Sequence, residues 1–207
     1  MKTPINVVVC DDHALFRKSV TGLLNTFERI TCISDVANGK ELITEMHGGL
    51  SPSVVLMDIK MPVMNGYETA YYLKENFPAV KILAMSIYDN DYAIEEILAC
   101  GADAFVSKDA DPNDVYDAII GLHDKGRYMT KWMKQNKKRL LGLQRLTPRE
   151  RELLSLFCSE KSYAEISQTL HISLKTVDRY RDEVFKKMKV KSRLNLVLFA
   201  IQNGIVV

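Results

Sequence analysis

Ile5-Asn6-Val7-Val8-Val9-Cys10-Asp11-Asp12 sets the reading of this chain: a short run dominated by Val and Ile, then two carboxylates. Such a run reads as a strand buried on both faces, as parallel sheets require. Four more follow at Ile33–Val36, Val54–Met57, Val80–Met85 and Ala104–Val106. Between them, side chains recur at helical spacing: Leu15, Val20, Leu23, Leu24 and Phe27; Tyr67, Ala70, Tyr71 and Lys74 ahead of Pro78; and Ala93, Ile97 and Leu98. Strands alternating with helices predict right-handed crossovers and a doubly wound five-stranded parallel sheet. The functional crevice of that architecture lies beyond the carboxyl ends of the strands.

Polar residues stand at those ends. Asp11 and Asp12 follow the first strand, Asp58 the third, Ser86 ends the fourth and Lys108 lies just past the fifth. Three carboxylates brought to one edge repel one another unless a hard cation joins them, which points to Mg²⁺. A hydroxyl and an ammonium beside them suit the oxygens of a phosphoryl group, over which charge spreads during transfer. For any one of these residues alone, solvated loop chemistry is the bland alternative; five together ask for more. Cys10 reads as a small buried hydrophobe, and His13 opens the first helix. With His47, His123 and His171 it shows no metal-ligand spacing.

Asp11-Asp12, Asp58-Ile59-Lys60-Met61-Pro62 with Gly66, Ser86, and Lys108 preceded by Phe105 resemble the receiver domain of two-component response regulators. The resemblance covers roughly residues 4–124. It implies that Asp58 accepts a phosphoryl group from the phospho-histidine of a sensor histidine kinase. It also implies that Asp12, Asp58 and the Lys60 carbonyl bind Mg²⁺, with Asp11 acting through water. Ser86 and Phe105 would be the switch pair and Lys108 the phosphate contact. Ile87 stands where the family often has a small residue, and Lys60 and Tyr88 stand where it tunes its own dephosphorylation.

Charge separates this half from the rest. Through Asp124 there are 9 Lys/Arg against 19 Asp/Glu, net −10; from Lys125 onward there are 19 against 7, net +12. An acidic module that can hold a cation, joined to a basic one that can neutralise phosphates, fits a regulatory domain on a nucleic-acid binder. The expected division is 1–124, a linker over 125–142, and 143–207. The linker is basic through Lys131, Lys134, Lys137, Lys138 and Arg139. Tyr128, Trp132 and Met133 leave open whether it is a solvated spacer or docks on something, and Leu140-Leu141-Gly142 closes it.

The basic half reads as four helices. Thr147-Pro148-Arg149-Glu150 and Ser162-Tyr163-Ala164-Glu165 are capping boxes. Leu153, Leu154 and Phe157 supply the apolar face of the first helix; Ile166 and Leu170 serve the second. Ser173 caps a third after a short turn, which makes a helix-turn-helix. The last, about Arg193 to Gln202, presents Leu194, Val197, Leu198 and Ile201 before Asn203-Gly204. Leu146-Thr147-Pro148-Arg149-Glu150-Arg151-Glu152, Glu165-Ile166-Ser167, Ile172-Ser173-x-x-Thr176-Val177 and Lys187-Met188-x-Val190-x-Ser192-Arg193 resemble the LuxR-like domain of the NarL/FixJ class. That resemblance implies double-stranded DNA as partner and a recognition helix starting at Ser173. Lys175, Thr176, Asp178, Arg179, Arg181 and Lys186 would then face DNA, and the final helix would pair two protomers on activation. Asp178 stands where the family commonly has lysine. It either pairs with Arg181 or accepts a hydrogen bond from a base, while Asp182 pairs with Lys186 or faces DNA.

The whole is expected to be a phosphorylation-controlled transcription regulator, cytoplasmic, without a membrane partner, in which the unphosphorylated receiver masks the basic domain. The scattered Cys10, Cys32, Cys100 and Cys158 indicate neither a disulfide framework nor a zinc site, and no stretch approaches about 18 apolar residues. An aspartyl-phosphate phosphatase is disfavoured because Asp58-Ile59-Lys60 lacks the second acid of a D-x-D pair. A receiver that merely dimerises without phosphorylation would lack one of Asp11, Asp12, Asp58 or Lys108, and all four are present.

Overall fold

A computed structural model of the chain describes residues 4–87, 91–130, 133–134 and 146–202. Contacts divide it into two compact units, Met1–Leu143 and Gln144–Val207. The first is a five-stranded parallel sheet in the order β2-β1-β3-β4-β5, with β1 Ile5–Cys10, β2 Ile30–Val36, β3 Val54–Asp58, β4 Lys81–Ser86 and β5 Ala104–Ser107. Five helices alternate with the strands: α1 Ala14–Leu24, α2 Gly39–His47, α3 Gly66–Asn76, α4 Asp91–Ala99 and α5 Pro112–Lys125.

Successive strand residues point to opposite faces, so each strand feeds two cores. Val8, Cys10, Val55, Met57, Ile82 and Ala84 pack with Leu42, Leu73 and Ile97 from α2, α3 and α4. Val7, Val9, Leu56, Leu83 and Met85 pack with Leu24, Ile119 and Leu122 from α1 and α5. Each fully buried branched side chain contributes about 1.5–3 kcal/mol relative to exposure. That explains why the central stretches of these strands are apolar on both faces rather than alternating.

Several local expectations shift. β2 starts at Ile30 because Ile5 pairs with Ile30, although the polar Thr31 interrupts the apolar pattern there. On α1, Leu15 is 84% exposed and Leu24 carries the burial. On α3 the buried face is Tyr67, Ala70 and Leu73, whereas Lys74 reaches out to Asp103 at 2.7 Å. Asn38 caps α2 through Glu41 N–H, Asn65 and Glu68 form a capping box on α3, and Asp111 with Pro112 starts α5. Gly126 ends α5 at φ +69, a left-handed turn suited to glycine.

The first part of the linker docks on the receiver. Met133 is buried, and Tyr128 and Met129 pack against the same core as α5. Trp132, Lys131, Lys137, Lys138, Arg139 and Leu140-Leu141-Gly142 lie outside the described residues, as do Tyr88 and Asn203-Gly204.

The second unit is a four-helix domain: α6 Pro148–Phe157, α7 Tyr163–Thr169, α8 Leu174–Met188 and α9 Arg193–Gln202. Both capping boxes form, and Ser173 accepts from Thr176 N–H at the head of α8. Leu153, Leu154, Phe157, Ile166, Val177, Val184, Leu196 and Ala200 are buried. On α9 the core side is therefore Leu196 and Ala200, while Leu194, Leu198 and Ile201 are exposed. No described helix is long and apolar enough to cross a membrane.

Candidate functional site

Register brings the acidic residues together. Cys10 pairs with Met57, so Asp11, just past β1, and Asp58, the last residue of β3, stand at the same edge. Ser86 pairs with Ser107, which sets Lys108 one residue beyond β5; its N–H donates to the Ser86 carbonyl at 3.0 Å. Gly66 lies directly behind the end of β3. A Cβ there would strike the Asp58 carbonyl and stand 2.8 Å from Ile59 Cα, so a side chain at 66 would displace the strand end.

Lys108 Nζ bridges Asp11 Oδ2 at 2.7 Å and Asp58 Oδ2 at 2.8 Å. Asp58 Oδ1 accepts weakly from Lys60 N–H at 3.4 Å, and Asp11 Oδ1 accepts from His13 N–H at 2.8 Å. Asp11 and Asp58 are buried, whereas Asp12 is partly exposed. Burial pushes the Asp58 carboxyl above its usual value, only partly offset by Lys108. Burial by itself would lower the Lys108 pKa, but the Asp11 and Asp58 carboxylates outweigh it and hold the ammonium above its usual value. The cation also lies 4.7 Å from the centre of the Phe16 ring.

His13, Phe16, Asp58, Lys60, Ser86, Ile87, Lys108 and Asp109 line a cleft of about 450 Å³. One ligand atom from each of Asp11, Asp12, His13 and Asp58 lies within 4.8 Å of every other. The donor set, hard oxygens in excess of the one neighbouring ammonium, fits a divalent cation. Phe105 is buried and lines a different cleft of about 420 Å³, shared with Ile94, Ala110, Tyr128 and Met129. Ser86 and Phe105 thus belong to separate clefts joined through β4 and β5. Cys10 is a buried thiol: burial pushes its pKa up, and Sγ contacts Met61 Sδ at 3.4 Å.

Arg17 gave no sequence signal. It donates through Nη1 to the Asp11 carbonyl at 2.6 Å and through Nε to Asp35 Oδ2 at 2.9 Å, which pins the β1–α1 turn. In sequence His13 reads as a helix opener, because residues adjacent in the chain have no ligand spacing to reveal.

On α8, Lys175, Arg179 and Lys186 are exposed, and Thr176 is half-buried with its hydroxyl 2.8 Å from that of Ser173. Asp178 pairs with Arg181 at 2.7 Å, so its carboxylate is engaged within the helix. Asp182 takes the other side of the same guanidinium at 2.8 Å, in place of the expected Lys186. Arg179 lies 3.9 Å from Glu183. Two long-range contacts fix the helices: Lys187 with buried Glu150 at 2.7 Å, and Arg193 donating to the carbonyls of Phe157, Ser159 and Lys161.

The profile of the response regulator receiver domain matches residues 7–120, and that of the bacterial regulatory proteins, luxR family, matches residues 144–200. The response regulator proteins VraR of Staphylococcus epidermidis and Staphylococcus aureus are each 30% identical over 207 residues, covering 98% of this chain and 99% of theirs. Among solved structures, RcsB of Salmonella enterica serovar Typhimurium bound to promoter P1flhDC with the phosphomimetic BeF3− gives a TM-score of 0.69 at 23% identity. It covers 95% of this chain and 98% of that one. The response regulator ChrA of a heme-sensing two-component system gives 0.55 at 24%, covering 99% and 100%. Both show a shared fold.

Proposed function

The chain belongs to the two-component response regulators that carry a receiver domain and a LuxR-family helix-turn-helix domain, and from that premise we propose that Asp58 is its phospho-acceptor. As a member of that family it is a DNA-binding transcription regulator rather than a classical enzyme. The observation that carries the residue assignment is the Lys108 ammonium held between Asp11 and Asp58 in an open cleft. The phosphoryl donor is a sensor histidine kinase. Its N–P bond breaks as a bond forms between phosphorus and Asp58 Oδ, and Lys108 turns to the new phosphoryl oxygens. Bound Mg²⁺ supplies charge neutralisation for those oxygens; Asp12, Asp58 and the Lys60 carbonyl would hold it, with Asp11 acting through water. Ile87 lines the cleft, where it crowds access to the phosphoryl group, and Lys60 and Tyr88 set phosphate lifetime.

Ser86 follows the phosphoryl group, Phe105 follows Ser86, and the cleft that Phe105 shares with the docked linker changes shape. A local change of charge thereby biases a two-state element. The receiver comprises residues 1–124, the linker 125–142 and the DNA-binding domain 143–207. Within the last, Lys175, Thr176, Arg179 and Lys186 face DNA, and Asp178 and Arg181 enter as an ion pair. RcsB has been captured as dimers on DNA, and two copies of this chain pair through the exposed face of α9. The protein acts in the cytoplasm, and its opposite charges let the unphosphorylated receiver mask the basic half.

The test is selection of bound duplexes from a random DNA pool by the full chain with Mg²⁺, with and without beryllofluoride, at fixed salt. Enrichment of one two-fold-symmetric site only with the mimic, abolished in Asp58→Asn, is the expected result. Equal, sequence-indifferent recovery in both samples would overturn it.

A further inference from the structure

We propose that His13 is an additional ligand to the cation of the receiver cleft and tilts that site away from Mg²⁺ and toward divalent transition metals. The inference rests on the reading of Asp11, Asp12 and Asp58 as a cation site. His13 Nδ1 lies 2.9 Å from Asp12 Oδ1 and 3.5 Å from Asp11 Oδ1. Around an octahedral ion with bonds of about 2.1 Å, neighbouring ligand atoms stand about 3.0 Å apart and opposite ones about 4.2 Å. The His13, Asp12 and Asp58 ligand atoms, within 4.8 Å of one another, need only a small contraction to share one ion, with Asp11 reaching it through water.

The ring is not committed to the helix it precedes. His13 is the N-cap of α1, with extended backbone at φ −79 and ψ 97, yet its side chain makes no capping hydrogen bond. Its backbone N–H is what holds it to Asp11 Oδ1, at 2.8 Å. That bond ties the residue to the Asp11 carboxylate and leaves the imidazole in the cleft that Asp58, Lys60 and Lys108 also line.

Chemistry gives the placement its consequence. Mg²⁺ favours oxygen ligands and keeps several waters, whereas imidazole suits ions further along the first transition series. Three carboxylates alone suit Mg²⁺; one nitrogen beside them raises affinity for Mn²⁺, and more so for Zn²⁺. Loss of a partner outside the coordination sphere already costs metal sites about tenfold in affinity, so loss of a direct ligand costs at least that order.

The experiment uses the full-length chain with Mn²⁺ as probe. Electron spin-echo modulation reads directly bonded nitrogen, and titration with Mg²⁺ reads selectivity. Wild type is expected to show ¹⁴N modulation that disappears in His13→Ala. The Mg²⁺ concentration that displaces half the Mn²⁺ is expected to fall by about tenfold in that variant. Because the His13 side chain is exposed and caps nothing, the variant retains the fold. Bound Mn²⁺ without nitrogen modulation, or unchanged Mg²⁺ displacement in His13→Ala, overturns the role of His13 while leaving the cation site standing. Mn²⁺ binding that is absent, or unaffected by Asp58→Asn, overturns the cation site itself.

Discussion

Two triads of the same composition, one cation between two aspartates, sit at the working ends of the two units. In the receiver, Lys108 is held by Asp11 and Asp58, with side chains 9%, 0% and 5% exposed. On α8, Arg181 is held by Asp178 and Asp182, with side chains 28%, 45% and 69% exposed. The first is assembled from three strand ends far apart in sequence; the second is one turn of a helix. Water screens the α8 triad, so making or opening it costs little. In the receiver, desolvation raises the cost of every uncompensated charge, so adding a phosphoryl group or a cation there changes the balance by several kcal/mol. A buried triad suits the switch proposed for the receiver, and an exposed one suits the DNA-facing role proposed for α8.

The largest expected effect breaks the buried triad. Lys108→Ala leaves two buried carboxylates without their cation and should cost about 3–5 kcal/mol in urea unfolding near neutral pH. Adding Asp58→Asn should recover much of it. The pH dependence has a definite sign. The folded-state pKa of Asp58 is raised by burial, so the native state binds its proton more tightly than the unfolded chain. Its contribution is therefore most favourable below the unfolded value and is lost as pH rises through the folded one, and Asp58→Asn alone should stabilise the receiver at neutral pH. A Lys108→Ala cost below about 1 kcal/mol would mean the receiver triad is as screened as the one on α8.

Glu150 offers an intermediate case, a buried carboxylate with one partner from another helix. Burial alone pushes its carboxyl up, but Lys187 and the Thr147 hydrogen bonds outweigh that and hold it below its usual value. The stability it contributes is present above the unfolded pKa and lost as pH falls through the folded one. Glu150→Gln should cost about 2–4 kcal/mol near neutral pH, and the difference from wild type should vanish in acid-range melts. A difference that persists at low pH would assign the effect to packing.

Gly66→Ala tests whether the receiver triad depends on backbone position. Overpacking behind Asp58 should destabilise by about 1–3 kcal/mol and slow phosphorylation by a small-molecule donor. Stability and phosphorylation rate both equal to wild type would show that the strand end gives way freely.

The smallest stability effect belongs to α8. Arg181→Ala should change the C-terminal domain by about 1 kcal/mol or less. In DNA titrations at several salt concentrations, Lys175→Ala and Arg179→Ala should each lower the salt slope by about one, while Arg181→Ala should lower it less. A full unit lost with Arg181→Ala would show that the pair opens on DNA.

The receiver sheet was legible because β1 and β3 to β5 each carry an unbroken apolar stretch, and because polar residues fall where such strands must stop. Three of the four C-terminal helices were equally legible, since Thr147-Pro148, Ser162 and Ser173 advertise their starts. Less legible was which side of a helix turns inward. Leu15 and Leu194 belong to apolar stripes at helical spacing and are exposed, because spacing reveals a stripe but not the element that covers it. The receiver cluster was legible as a list. Its geometry was not, and neither Arg17 nor the ring of His13 had a linear signature.

By itself, the sequence determined the alternation of strands and helices, the caps, the residues at the strand ends and the separation of charge between the halves. These are local properties of propensity, periodicity and composition. Only the tertiary structure decided that Lys108 spans Asp11 and Asp58, that Gly66 must lack a side chain, that Lys187 reaches Glu150 and that the first part of the linker docks on the receiver. Each depends on register and packing between segments distant in the chain, where a shift of one residue would turn every strand side chain to the opposite face.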